Sequence, residues 1–273
     1  MPQTRNQTHR SFLFVPGNKP ERFDKALASG AHAVIIDLED AVAPDDKVEA
    51  RHMIADYLSP GREVFLRVNA RGTPWFEQDA LLCKLPGVRG VVLPKAESAS
   101  DVTDLVSLVK AKIPVYPLIE SAHGMWDSLQ IAKAPFVKQL MFGTLDFMVD
   151  MNMELENAEL NSYRAQLSTV SRVAGIRAPI DGVTTDINDV EGLTRDTLNG
   201  KRWGFAGKLC IHPKQVGTVN SSYAPSESDI NWAKRVLEAF RISAGGAVSV
   251  DGKMVDKPVV LRAQSLLELA DAR

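Results

Sequence analysis

The chain has 273 residues with a formal net charge of −2, and 45% of its residues are hydrophobic and 24% charged. This length allows one large domain or two small ones with a full hydrophobic core. The small net charge gives no general attraction to nucleic acid or to an anionic membrane surface, so we expect neither partner.

The lack of recognisable targeting signals and the positions of the two cysteines predict a protein of a reducing compartment. No run approaches the roughly 18 apolar residues of a membrane span. Residues 1–10 lack the apolar core of a signal peptide, which predicts a cytoplasmic protein. Cys83 and Cys210 lie in apolar sequence without a metal-binding spacing, which is typical of buried free thiols.

Short apolar runs alternate with amphipathic stretches along most of the chain. The predicted strands cover 11–17, 33–38, 63–69, 90–95, 115–120, 139–143, 178–183 and 207–213. The clearest helical patterns between them cover 47–58, 99–112 and 160–175. Eight such strand–helix units predict an α/β fold, a closed (β/α)8 TIM barrel rather than an open doubly wound sheet. The absence of GxGxxG after the first strand counts against a dinucleotide-binding sheet.

The C-terminal residues exceed what a barrel requires. We assign 1–10 to a disordered tail, 11–222 to the barrel and 223–273 to a C-terminal helical extension. In the extension, Ser226 is expected to cap a helix, Asp251 and Gly252 to form a turn beside a short strand, and 261–272 to form a final helix. The extension is either a packing arm or a lid.

Charged and polar residues collect at the predicted carboxyl ends of the strands, where a (β/α)8 barrel has its active site. They are Asp37, Glu39, Asp40, Arg67, Asn69, Lys95, Glu120, Asp146 and His212. Carboxylates without a Cys/His pattern favour a hard cation, and Mg²⁺ first among them. Glu120 and Asp146 follow adjacent strands and are the candidate ligands. Taken singly, each acid is more commonly a helix cap or part of a surface ion pair.

Two groups of cations stand out beside these acids. Arg67 ends a buried strand, and its guanidinium suits a substrate carboxylate or a developing oxyanion; the alternative is an internal salt bridge to Glu39 or Asp40. Lys19 and Lys25 lie with Arg22 in the first strand-to-helix turn. Such a turn can hold phosphate, although three charges on a helix face are usually only solvated.

These residues lie in sequence blocks that resemble the citrate lyase β-subunit and malyl-CoA lyase family. The blocks are RSFLFVPGNKPERFDKAL, IIDLEDAVAPDDKVEAR, LRVNARGTPW, VVLPKAES, LIESAHG, MFGTLDF, IDGV and GKLCIHPKQV. The resemblance extends from Ser11 to GKMVDKP and covers nearly the whole chain. It implies a (β/α)8 barrel of the pyruvate-dependent aldolase superfamily.

The resemblance implies roles for the residues at the mouth of the barrel. The family's Mg²⁺ ligands fall on Glu120 and Asp146, and Glu120 also contacts the substrate. Its substrate-binding arginine, which takes part in catalysis, falls on Arg67. Its coenzyme A contacts fall on the first strand and loop: Phe14, Lys19 and Lys25. LIESAHG departs from the commoner IETARG directly after Glu120, which implies a different acyl pocket.

Further roles follow from the same resemblance. Asp37 and Glu39 are expected to orient metal-bound water, and Asp40 stands where related aldolases have a base histidine. In malyl- and citramalyl-CoA lyases a C-terminal segment closes over a neighbouring subunit and carries a catalytic aspartate, which falls on Asp256. Gly245, Gly246 and Gly252 would let such a lid move. Family members form trimers or hexamers, so a homo-oligomer is implied.

The implied function is Mg²⁺-dependent cleavage of a malyl-, citramalyl- or citryl-type CoA thioester into a keto acid and acetyl-CoA. One alternative is the citryl-acyl carrier protein lyase subunit of a citrate lyase complex. Another is a catalytically silent CoA-binding barrel, against which the intact Glu120, Asp146 and Arg67 argue. An aldolase acting on pyruvate without CoA would leave the cations of the first loop without a purpose.

Overall fold

The computed structural model describes residues 9–154, 159–243 and 248–271. The contacts within the chain divide it into two compact units, one from His9 to Asn220 and one that includes the chain from Ser221 onward. Each unit has a hydrophobic core of its own. No helix in the described ranges combines the length and hydropathy that a membrane span requires.

Two residues of the predicted disordered tail, His9 and Arg10, are among the described residues. Residues 1–8 lie outside the described residues, as do Gly245 and Gly246 of the predicted lid hinge. Arg10, however, is buried, and its backbone N–H donates to His32 Nδ1 at 3.3 Å. His9 and Arg10 therefore belong to the same compact unit as the barrel, and their assignment to a disordered tail is corrected.

The first unit is a closed barrel of eight parallel strands, as the sequence predicted. The strands are β1 (Ser11–Pro16), β2 (Ala33–Asp37), β3 (Val64–Arg67), β4 (Val88–Leu93), β5 (Val115–Ile119), β6 (Gln139–Phe142), β7 (Arg177–Asp181) and β8 (Gly207–Cys210). β1 pairs with both β2 and β8, which closes the barrel.

All eight strands end one to three residues before their predicted ends. Beyond β2 and β3 the pairing continues only as single hydrogen bonds. Leu38 N–H donates to Arg67 O at 2.9 Å, and Val68 N–H donates to Val92 O at 3.3 Å. After β8 the chain turns early, since Pro213 begins the next helix. The residues beyond the ladders are those that form the mouth of the barrel.

Helices follow the strands in the order that the alternation predicted. They are α1 (Phe23–Leu27), α2 (Lys47–Tyr57), α3 (Phe76–Leu82), α4 (Ala99–Val109), α5 (Ala122–Trp126), α6 (Ser128–Ala132), α7 (Thr144–Asp150), α8 (Asn161–Ala174), α9 (Val190–Arg202) and α10 (Pro213–Tyr223). Short 3₁₀ turns at Pro20–Arg22 and Pro44–Asp46 precede α1 and α2. The three helices predicted most clearly correspond to α2, α4 and α8.

The interior of the barrel is filled by side chains. One buried cluster unites residues from all eight strands: Phe12, Ala33, Ile35, Phe65, Val92, Tyr116, Leu118, Met141, Ile180 and Leu209. Its aromatic rings meet edge to face, with Phe65 and Tyr116 centroids 5.1 Å apart. Cys83 and Cys210 are buried free thiols, as predicted, and burial raises the pKa of each to about 12.

The C-terminal unit consists of two helices and a hairpin. α11 (Glu227–Ile242) begins at the predicted cap, where Ser226 Oγ accepts the Asp229 N–H at 3.1 Å. The hairpin strands are β9 (Val248–Val250) and β10 (Lys253–Val255), and the turn between them uses positive φ angles at Asp251 and Gly252. α12 (Lys257–Asp271) begins four residues before the predicted start at 261.

Candidate active site

A cavity of about 370 Å³ is formed by residues at the carboxyl ends of the barrel strands. Six residues that the sequence singled out line it: Phe14, Asp37, Asp40, Arg67, Glu120 and Asp146. Its other walls include apolar side chains from the top of the interior cluster, such as Leu118 and Leu209. The barrel therefore brings most of the predicted site residues together.

Arg67 is held by an internal ion pair with Asp37. Its Nε donates to Asp37 Oδ1 at 2.7 Å, and its Nη2 donates to Asp37 Oδ2 at 2.6 Å. The two residues are register partners in the β2–β3 ladder, which puts their side chains next to each other. Asp37 raises the pKa of Arg67 against the opposing effect of burial. The internal salt bridge that the sequence left open is present, and its main partner is Asp37.

The acids that the sequence named as partners add to this pair. Arg67 Nη1 lies 2.8 Å from Glu39 Oε2 and 3.5 Å from Asp40 Oδ2. The Phe14 ring covers the guanidinium, with 4.8 Å between its centroid and the guanidinium carbon. Asp40 is the most exposed of the three acids, at 59% of its side chain. Its carboxylate is thus free to meet a ligand while Asp37 holds the arginine.

The turn after β2 is fixed by hydrogen bonds to its backbone. Asp37 accepts the N–H groups of Glu39 and Ala41 at 2.9 and 3.2 Å. The buried Lys47 donates from Nζ to Leu38 O and Glu39 O, at 2.8 Å each. Sequence reasoning missed Lys47, whose only signal was its position just after the acids at the start of a predicted helix.

Glu120 is a buried carboxylate at the end of β5. Its Oε1 accepts the backbone N–H of Lys95 at 2.6 Å, and Lys95 has a left-handed backbone conformation with a φ of 48°. Burial raises the pKa of Glu120 to about 8, and the negative charges of Glu39 and Asp146 act in the same direction. The single backbone donor does not compensate these effects, so this position favours a cation.

Asp146 lies in the first turn of α7, directly after β6. Gly143 permits the close approach between the end of β6 and Glu120, because a Cβ there would lie 2.6 Å from Glu120 Oε2. Gly182 does the same one strand further, where a Cβ would collide with Thr144 at the start of α7. Glycines thus bring the two predicted ligands into one cavity.

The carboxylates suit a magnesium ion, which takes further ligands from substrate and water, better than an ion that takes all its ligands from protein. Across the described residues, no group of three or more His, Cys, Asp and Glu side chains could hold a metal ion. Mg²⁺ commonly takes one or two carboxylates and completes its octahedron with substrate oxygens and water. Glu120 and Asp146 supply such a pair, and the buried negative charge around Glu120 is the charge that a cation would neutralise.

Comparison with known proteins agrees with this geometry. The model of a family described as HpcH/HpaI aldolase/citrate lyase matches residues 10–213, which is the barrel. The chain belongs to the HpcH/HpaI aldolase/citrate lyase family. A second model, of a C–C bond lyase of the TIM-barrel fold, matches residues 159–272.

Several named proteins resemble the chain over nearly its full length. The citrate lyase subunit beta of Leuconostoc mesenteroides subsp. cremoris is 35% identical and covers 96% of this chain, which in turn covers 93% of it. A (3S)-malyl-CoA thioesterase of Cereibacter sphaeroides is 32% identical, with 98% and 97% covered. The CitE protein of Mycobacterium tuberculosis, solved with magnesium, acetoacetate and coenzyme A, superposes with a TM-score of 0.86 at 34% identity, with 97% and 98% covered. The chain is accordingly a carbon–carbon lyase of the citrate lyase β-subunit-like type.

The cations of the first loop do not line the cavity of this family member. Lys19, Arg22 and Lys25 are exposed, on the 3₁₀ turn and on α1, which has only five residues. Phe14 lies in the cavity instead, against Arg67. The role of the two lysines toward coenzyme A therefore stays a prediction.

Asp256 belongs to the C-terminal unit, where it caps α12. Its Oδ1 accepts the Val259 N–H at 3.4 Å, and its backbone oxygen accepts the Val260 N–H at 3.0 Å. This cap explains why α12 begins before the predicted start. The contacts are those of a helix cap, and the lid role of Asp256 stays a prediction.

Proposed function

We propose that the chain is a Mg²⁺-dependent lyase that cleaves a 3-hydroxyacyl-CoA thioester into a 2-oxo acid and acetyl-CoA. The observation that carries the proposal is the buried Glu120, which shares a cavity with Asp146 and Arg67 and whose pKa is raised by burial and by the neighbouring carboxylates. The magnesium and coenzyme A in the CitE structure support it.

In this proposal Glu120 and Asp146 would hold the ion, which would supply Lewis-acid chemistry to the acid half of the substrate. Arg67, oriented by Asp37 and Phe14, stabilises the negative charge that develops on the hydroxyl oxygen. The exposed carboxylate of Asp40 accepts the hydroxyl proton. Asp37 and Glu39 hold the arginine and the turn after β2 in place. In this way they would also orient ordered water near the ion.

The bond between the hydroxyl-bearing carbon and the carbon next to the thioester then breaks, and its electron pair stays on the thioester side. A proton must reach that carbon to give acetyl-CoA. We assign this proton transfer to Asp256 of a neighbouring subunit in a homo-oligomer. Lys19 and Lys25 are assigned to the coenzyme A phosphates, since they are exposed cations in the loop after β1.

A second candidate is a subunit that receives its acyl group on an acyl carrier protein. The observation in its favour is the 35% identity with the Leuconostoc citrate lyase subunit beta. The two candidates use the same chemistry at the cavity and differ in what binds outside it. Transfer of the same acyl group from coenzyme A to a carrier protein would separate them by its effect on KM.

The proposal is tested with malyl-, citramalyl- and citryl-CoA, each with Mg²⁺ and with a chelator in its place. We expect cleavage of at least one thioester, dependent on Mg²⁺, with equal amounts of 2-oxo acid and acetyl-CoA. Release of free coenzyme A would instead indicate a thioesterase, and a thiol reagent reports it because Cys83 and Cys210 are buried. Failure to cleave all three, or cleavage that survives the chelator, contradicts the proposal.

A further inference from the structure

The described side chains that line the cavity include no cation that could pair with a second carboxylate of a substrate. Among the described residues that line it, Arg67 is the single base, against the acids Asp37, Asp40, Glu120 and Asp146. Arg67 already lies within 3.5 Å of carboxylate oxygens of Asp37, Glu39 and Asp40. Without a metal ion the cavity thus has more acidic than basic side chains.

A second cation beside Glu39, Lys95, is also held in an ion pair. Lys95 Nζ lies 3.1 Å from Glu39 Oε1, and Glu39, with Asp40, raises its pKa against the effect of burial. Lys95 does not line the cavity. A substrate carboxylate that misses the metal ion would therefore have to break an existing ion pair before it found a positive partner.

The floor of the cavity is apolar. Leu118 and Leu209 belong to the buried interior cluster, and Phe14 and Val183 pack against that cluster; all four line the cavity. Ile211, at 43% exposure, extends this surface toward solvent. An alkyl group on this floor loses water and gains contacts, whereas an unpaired carboxylate there loses its hydration without compensation.

These observations bear on the acid half of the substrate. If the proposed function holds, one carboxylate and the neighbouring oxygen belong to the metal ion, so the third substituent on that carbon must lie on the remaining walls. We infer that this substituent is an uncharged alkyl group, and that the released acid is an alkyl 2-oxo acid rather than a dicarboxylic one. In the reaction the hydroxyl proton leaves its oxygen, the carbon–carbon electron pair moves to the CH2 of the thioester, and that carbon takes up one proton.

The first test compares kcat/KM for malyl-, citramalyl- and citryl-CoA, which carry hydrogen, methyl and carboxymethyl at this position. We expect citramalyl-CoA to exceed malyl-CoA by about 10-fold, since one methyl group in an apolar pocket is worth that order. Citryl-CoA should lie at least ~100-fold below citramalyl-CoA, because its extra carboxylate meets no cation. Citryl-CoA turnover equal to or above that of citramalyl-CoA overturns the inference and leaves the proposed function standing.

A binding measurement keeps the inference testable if no thioester is cleaved, in which case the proposed function alone fails. Calorimetry in Mg²⁺ buffer compares pyruvate with oxaloacetate, and we expect the tighter binding from pyruvate. Val183→Lys places an ammonium group at the cavity wall and should shift the pyruvate-to-oxaloacetate affinity ratio toward oxaloacetate by about 10-fold.

Two further variants guard this measurement. Ile211→Lys repeats the change at a more exposed wall position, where misfolding is not expected, and should shift the ratio in the same direction. Val190→Lys, at a 59% exposed residue at the start of α9, should leave the ratio as in the unsubstituted protein. An unchanged ratio in a folded Ile211→Lys protein, or tighter binding of oxaloacetate than of pyruvate before any substitution, overturns the inference.

Discussion

Two groups of acids stand at the mouth of the barrel, and their charges are compensated differently. The Arg67 cluster, formed by Asp37, Glu39, Asp40 and Arg67, contains its own cation. The acid pair, Glu120 and Asp146, has one backbone N–H on Glu120, whose pKa is raised to about 8. In sequence the two groups look alike, since each consists of acids that follow strands.

This difference indicates that the Arg67 cluster stabilises the fold, whereas the acid pair binds a ligand. A compensated cluster is stable by itself and holds an arginine in one orientation, whereas an uncompensated pair is at its most stable with a cation bound. Substitutions in either group test this comparison. If it is correct, loss of the arginine harms the fold, and loss of a carboxylate of the pair harms only binding and turnover.

The largest effect is expected for Arg67→Met. It leaves Asp37 buried without its cation and Glu39 with Lys95 alone, so it should lower the free energy of unfolding by about 3–5 kcal/mol, as measured in urea, and abolish turnover. Arg71→Met is the matched control, because Arg71 pairs with Asp101 and Asp104 at 48% exposure and should cost about 0–1 kcal/mol. Equal costs for the two variants would mean that the cluster has no special structural role.

Glu120→Gln and Asp146→Asn test the other side of the comparison. Both should abolish Mg²⁺ binding in titration calorimetry, and with it turnover, because each removes one of two carboxylate ligands. Neither should lower the free energy of unfolding of the metal-free protein, since burial and the neighbouring carboxylate of Asp146 already disfavour a charge on Glu120. Glu77→Gln, at an exposed acid on α3, serves as the control and should bind the ion normally. Unchanged Mg²⁺ affinity in both variants would rule the pair out as ligands.

The proposed proton donor can be tested by mixing subunits. Asp256→Ala and Glu120→Ala proteins should each be inactive, since one lacks the donor and the other the metal ligand. Oligomers assembled from both should recover part of the activity, because some sites receive an intact Asp256 from one subunit and an intact Glu120 from another. Light scattering must show that mixed oligomers form; if they form without any recovery, Asp256 does not act across subunits.

A smaller effect is expected at the first loop. Lys19→Ala and Lys25→Ala should raise KM for the thioester several-fold and change kcat less, because phosphate contacts far from the reacting bond contribute similarly to substrate and transition state. Lys84→Ala is the control: Lys84 is exposed and follows α3, which leads back to the start of β4. A fall in kcat with KM unchanged would remove the two lysines from coenzyme A binding.

The smallest effect is expected at the amino-terminal end of the barrel. There a substitution should change the stability of the fold without changing the site. The ring of His9 lies 5.7 Å from that of Phe12, and burial lowers the His9 pKa from 6.5 to about 4. Unfolded His9 takes up its proton below pH 6.5, while the folded ring stays neutral, so stability should fall as the pH decreases from 6.5 to about 4.

His9→Gln should therefore flatten the urea-unfolding stability between these two pH values without changing Mg²⁺ affinity. His52→Gln is the control, since the side chain of His52 is 71% exposed. If the two substitutions change the acid slope equally, the slope belongs to other groups. A change in Mg²⁺ affinity in His9→Gln would mean that the two ends of the barrel are coupled.

Much of this architecture could be predicted from sequence, because it depends on local patterns. Apolar runs and helical periodicity gave the eight strands and three long helices, and strand ends gave Glu120, Asp146 and Arg67. The principal partner of Arg67 was missed. Asp37 is its partner because of the β2–β3 register, which is a property of the pairing and not of either strand.

Lys47 escaped prediction for a related reason. Its ammonium group donates to two backbone carbonyls, those of Leu38 and Glu39, and a pattern of side chains in the sequence does not predict contacts with the backbone. The left-handed Lys95 likewise depends on where the chain must turn to point its N–H at Glu120. What the sequence left open were contacts set by three-dimensional closure of the barrel.

The filled interior of the barrel also bears on the order in which reactants come and go. Because the interior cluster closes the cavity from below, an oxo acid bound on Phe14 and Leu118 lies at the blind end of the site. Under the proposed reaction the thioester lies between that acid and solvent. Acetyl-CoA must then leave first and the oxo acid last, so the oxo acid inhibits competitively against the incoming thioester. In the reverse, condensing direction the acid has to enter before the thioester, which makes the empty site unreceptive to acetyl-CoA alone.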